Sequence, residues 1–152
     1  MKKKDLLRIA SMFVMILLLP LALSLAYMIL AYMIHGRLYL SLEPSIGAII
    51  HGIFISLIIA YGYITKDKIA STLSGIFLIP LSLAYADFLS DFSDPYFVTR
   101  WLRLITSGEV IFNPYMLFGG LAGYFASRGT KVSLLVAILF GILFSLFVLG
   151  ID

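Results

Sequence analysis

Asp87, Asp91 and Asp94 stand at spacings of four and three within DFLSDFSDP, residues 87–95. On an unbroken helix these spacings put all three carboxylates on one face, and several carboxylate oxygens are what a hard cation such as Ca²⁺ or Mg²⁺ takes as ligands. Two physical arguments weigh against such a site. The stretch ends a long apolar run, so the acids would meet the unfavourable end of the helix dipole and repel one another. It also lacks the glycine and the twelve-residue ligand pattern of an EF-hand loop. The sequence instead divides the labour. Asp87, beside Tyr85 and Ala86, sits at a membrane boundary and calls for a partner such as Arg100, Arg103 or a histidine, while Asp91 faces water and Asp94 caps a following helix.

His51 lies inside an apolar segment and His35 near the end of another. An ionisable side chain within a span is a functional hypothesis by default, and imidazole handles protons near neutral pH. Its plainer role is a hydrogen bond to a neighbouring helix. His35, Glu43, His51, Asp87 and Asp91 fall in the same half of the chain's predicted topology and make a candidate polar or transport vestibule. The other half carries Lys-rich turns and no deep acid, so an uninterrupted proton path is not expected. The sequence has no P-loop, dinucleotide fingerprint, HExxH motif or serine elbow. GGLAG at 119–123 follows Asn-Pro within an apolar helix, without the strand-to-helix context of a phosphate loop. Cysteine is absent, which removes thiolate metal sites and cysteine nucleophiles. No catalytic residue, cofactor site or metal site is predicted.

The elements that position these residues are membrane helices. The 152 residues are 62% hydrophobic and 12% charged, with a mean hydropathy of +1.08, far from a soluble domain. A span needs about 20 apolar residues to cross about 30 Å of hydrocarbon. The sequence predicts an all-α, polytopic bundle forming one integral membrane domain, with spans at 9–34, 46–65, 69–86, 110–127 and 132–150. Ser24-Leu25-Ala26 imitates a signal-peptide cleavage site, but the apolar run continues past it, and a retained anchor is preferred. The turns TKDK at 65–68 and SRGTK at 127–131 make two antiparallel hairpins. Five spans put eight of the eleven Lys and Arg residues on the side of the N-terminus and both turns, with two of the eight acids. By the positive-inside rule the topology is N-in, C-out, in the cell membrane. The basic residues orient the chain in a membrane and predict no nucleic-acid partner.

Two further features concern partners. DPYFVTRWLRLITSGE, residues 94–109, predicts an interfacial amphipathic helix at 95–107, with Arg100, Trp101 and Arg103 at the lipid headgroups. Within the spans, Ala48, Gly52, Ser56 and Ala60 recur every four positions, as do Ser133, Ala137, Gly141 and Ser145, with Gly119, Gly123 and Ser127 in the fourth span. Small residues at this spacing let helices approach closely in lipid. If the fourth helix starts at Pro114 it is too short to cross unaided, and a broken, re-entrant entrance is then expected. The function expected is a non-catalytic membrane subunit or scaffold assembling with itself or other membrane proteins. A small transporter or channel is the alternative, and a lipid-modifying enzyme is the third.

Overall fold

A computed structural model describes residues 3–35, 44–90 and 114–148, all of them helical apart from two short turns. The elements are α1 (Lys3–Phe13), a π-helical turn (Val14–Leu18), α2 (Leu19–His35), α3 (Pro44–Thr65), α4 (Lys68–Ser90), α5 (Pro114–Ala126) and α6 (Lys131–Val148). The molecule is an all-α bundle of long apolar helices, consistent with a multi-pass membrane protein. Among the described residues four stretches are long and apolar enough to span a bilayer: Asp5–Ile34, Ser45–Thr65, Lys68–Ala86 and Lys131–Val148. The 13-residue α5 is not among them; at 1.5 Å per residue it rises only about 20 Å. The predicted interfacial helix with Arg100, Trp101 and Arg103 lies outside the described residues, as do Glu43, Asp91 and Asp94.

Local chemistry explains the breaks in this pattern. The first helix widens its register before Pro20: the N–H of Leu19 bonds the carbonyl of Val14, five residues back. Proline lacks an N–H and its ring clashes with the carbonyl four residues before it, and a π turn absorbs both problems without ending the helix. The α3–α4 turn closes through Lys66, whose φ of 58° is left-handed and whose N–H returns to Gly62 O at 2.9 Å. Asp67 then caps α4, accepting from the Ala70 N–H at 3.1 Å. At the α5–α6 turn Gly129 takes φ 67°, and Thr130 and Ser133 bond each other's backbone N–H groups at 3.1 Å. This reciprocal pair works as a capping box with Ser in place of the usual Glu. The two turns meet at one end of the bundle, where the Lys66 side chain fills the space a Cβ on Gly129 would occupy.

The centre of the bundle is the seam between α4 and α5, which is made of backbone. A Cβ placed on Gly75 would collide with the carbonyl oxygen of Gly119, and one on Gly119 with that of Gly75. One turn away, a Cβ on Gly123 would collide with the carbonyl of Ser71. The hydrogens that stand there instead point at those carbonyls, the arrangement of Cα–H···O contacts between closely packed helices. The opposite side of α5 is aromatic. Phe118 and Phe125 stack on Phe140 of α6 at 6.1 and 5.7 Å between ring centroids, and the Tyr115 hydroxyl donates to the Phe147 carbonyl at 3.1 Å. Three glycines in one short helix cost roughly 1 kcal/mol each relative to alanine; close packing on one face and stacked rings on the other offset that.

The seam orders the glycines by tolerance. Gly75→Ala must push two backbones apart, and thermal unfolding in detergent should show a loss of about 1–3 kcal/mol, the usual cost of overpacking. Gly52→Ala meets only the Ser145 hydroxyl, at 3.3 Å, and should change stability by less than about 1 kcal/mol. Equal effects at the two positions would contradict the seam.

Candidate functional site

Three of the polar side chains inside the bundle, Ser24, His51 and Ser82, gather toward the end opposite the two turns, while Asp67, Ser71, Ser74, Ser127 and Ser133 lie nearer the turns. His51 lies seven residues into α3, about 10 Å along its axis, and is 9% exposed. Its Nδ1 lies 2.8 Å from Gly47 O. A carbonyl only accepts, so Nδ1 carries a proton, and in the neutral ring Nε2 keeps its lone pair. The Tyr27 ring of α2 meets the imidazole edge-on, with centroids 5.2 Å apart, and its hydroxyl is 3.4 Å from Nδ1. That hydroxyl occupies the place a Cβ on Gly47 would take, so the Gly47/His51 pair and Tyr27 fit only together.

A cavity of about 250 Å³ opens beside this group, lined by Ser24 and Tyr27 of α2, His51 of α3, and Ser82 and Ala86 of α4. Ser82 donates to Ile79 O at 2.9 Å. The buried Ser24 has no partner for its hydroxyl among the described residues. The second buried side-chain oxygen without one belongs to Thr72, held against Gly120 and Gly123 in the α4–α5 seam.

The sequence-predicted residues distribute unevenly around this cavity. His51 lines it. Asp87 follows Ala86 on α4, and His35 ends α2, but the side chains of Asp87 and His35 lie outside the described residues. Tyr27, Ser24 and Ser82 were not singled out by the sequence; each is a common residue in an apolar helix, and their meeting depends on how α2 and α4 cross α3. Of the small-residue positions, Ala48, Gly119, Gly123, Ala137 and Gly141 are buried in the bundle, Gly52 and Ser145 are half-buried, and Ser56 and Ala60 are exposed. Among the described residues no three His, Cys, Asp or Glu side chains converge on a point where a metal ion could be held.

The turn end holds a second polar constellation. Arg8 grips Asp67 with both ends of its guanidinium, Nε to Oδ2 at 2.6 Å and Nη2 to Oδ1 at 3.3 Å. This ties the first helix to the α3–α4 turn, and Ser11 and Tyr61 add a hydroxyl pair at 3.0 Å one turn further in. The Arg8 hydrogen bond, helped by the Ala70 N–H, holds the Asp67 carboxyl below the usual carboxylate range against the opposing effect of its burial.

Compared with protein-family models, curated proteins and solved structures, the chain matches none.

Because the folded state lowers the Asp67 pKa, its contribution to stability is complete above the unfolded value near 4 and disappears as pH falls through the lower folded value. Asp67→Ala should cost about 1 kcal/mol at neutral pH from the lost cap alone. Acid titrations of wild type and variant, followed by circular dichroism, should stay apart down to about pH 4 and converge only as pH falls through the lower folded value; a gap already closed above about pH 4 would contradict the ionised Asp67 contact.

Proposed function

We propose that the protein is a non-catalytic membrane subunit that assembles through the groove between α3 and α6, with a second copy of the chain as its partner. The observation that carries this reading is the state of the α3 small-residue row. Gly52 and Gly141 floor an apolar groove of about 630 Å³, and Ser56 and Ala60 stand exposed along it. The other rows, on α5 and α6, are largely used up inside the bundle. In lipid, an open face of small residues has no hydrophobic reason to close, and it is productive where another helix packs closely against it. A row spaced by four is self-complementary, which suits a two-fold interface. The Arg8, Lys66, Lys68, Arg128 and Lys131 end is the cytoplasmic end in this proposal.

A small transporter or channel is the second reading, favoured by the polar cavity at His51. Flux of a solute through proteoliposomes that falls on His51→Ala would support it.

The absence of native cysteine makes the assembly test clean. Ser56→Cys and Ala60→Cys should form disulfide-linked dimers on mild oxidation in membranes, whereas Leu117→Cys, on an exposed position of α5, should not. Dimers from Leu117→Cys as readily as from the groove positions, or none from the groove, would overturn the reading.

A further inference from the structure

We propose that the cavity bounded by Ser24, Tyr27, His51 and Ser82 binds a small uncharged solute with hydrogen-bond donors and acceptors on neighbouring atoms, a polyol or a simple amide. The proposal is independent of the assembly reading and holds whether or not the solute crosses the membrane.

Ser24 is the first indication. Every other buried serine described in the bundle turns its hydroxyl onto a backbone carbonyl three or four residues back: Ser71 to Asp67, Ser74 to Ala70, Ser82 to Ile79, Ser127 to Tyr124 and Ser133 to Thr130, at 2.6 to 2.9 Å. This local bond is how a hydroxyl is satisfied in an apolar helix. Ser24 is 2% exposed, lines the cavity and makes no such bond. A buried hydroxyl left unpaired is costly, and an occupant of the cavity removes that cost.

The second indication is the hydrogen-bond inventory of the walls. With the His51 proton on Nδ1 and committed to Gly47 O, Nε2 offers a lone pair, and among the described residues no partner takes it. Tyr27, another lining residue, cannot donate to a protonated Nδ1, so its O–H is not committed there. Ser24 both donates and accepts, and Ser82, having donated to Ile79, still accepts. The walls therefore ask for an occupant that donates to a nitrogen and accepts from hydroxyls within a few atoms. Vicinal hydroxyls or an amide meet this requirement.

Charge and size narrow the class. None of the described lining side chains is a carboxylate, lysine or arginine, so an ion would shed its hydration with no opposite charge to receive it. The volume, about 250 Å³, exceeds one water's share of roughly 30 Å³ and falls below the roughly 300 Å³ at which drug-sized pockets begin.

The test uses the full chain in bilayers, labelled with ¹⁵N-histidine in a His35→Asn background so that His51 is the sole imidazole. Solid-state NMR at a fixed alkaline pH should show Nδ1 protonated and Nε2 bare. Glycerol or urea should then shift Nε2 saturably and leave Nδ1 in place. Ser24→Ala should raise the half-saturating concentration by about threefold to tenfold, the value of one hydrogen bond, and Ser24→Leu should fill the cavity and abolish the response. A proton on Nε2 in place of Nδ1, a response unmoved by either Ser24 variant, or a sharp spectrum that responds to neither solute would overturn the proposal; the last would mean a cavity that takes water alone.

Discussion

The approach of α4 to α5 through bare backbone is the constraint on which the rest of the bundle depends. Gly75 and Gly119 each leave the other's carbonyl the room a side chain would take, and Gly123 does the same for Ser71. Helices that meet this closely present their dipoles and Cα–H groups to one another with no flexible side chain between them. α5 can thus be short and still be central: α4 holds it on one face and the aromatic stack of α6 on the other. α3 then covers the remaining side of the seam, where Gly62 brings its backbone against Ser71 and Ala126.

Polar groups in such a bundle face a single rule, because lipid offers no hydrogen bonds. The buried serines other than Ser24 obey it locally, each on a backbone carbonyl three or four residues back. Asp67 obeys it by capping α4 and holding Arg8, which also fastens the first helix to a turn 59 residues away. Tyr115 obeys it across helices, at Phe147. The Ser24, Tyr27, His51 and Ser82 cavity is where the rule is left open, because the Ser24 hydroxyl makes no such bond among the described residues. A scaffold held together by backbone contact can leave such a space between three of its helices without collapsing into it.

The helices, the two tight turns and the apolar character of the bundle were legible in the sequence because periodicity and turn chemistry are local. The rows on α3, α5 and α6 were visible as repeats of four, but which of them face inward was not; Ser56 and Ala60 look the same in sequence as Ala137 and Gly141. The tightest contact was missed on the α4 side, where Ser71 and Gly75 are a single pair followed by bulky Ile79 and gain meaning only from Gly119 and Gly123 opposite. The π turn had a signal, Pro20, that reads as a kink until the register is seen. His51 was legible as an oddity within a span, whereas Ser24, Tyr27 and Ser82 were not, since nothing in their spacing announces that α2 and α4 bring them together. Of the acidic stretch that looked most like chemistry, Asp91, Asp94 and the Asp87 side chain lie outside the described residues.

The central claim is that α4 and α5 touch through their glycines. Carbon–carbon correlation by solid-state NMR on glycine-labelled protein in bilayers tests it without a mutation: the α-carbons of Gly75 and Gly119 should give a direct cross-peak, and so should the Gly123 α-carbon with the carbonyl carbon of Ser71 when serine is labelled as well. A well-ordered spectrum that resolves these signals and lacks both cross-peaks would contradict the seam and the arrangement built on it.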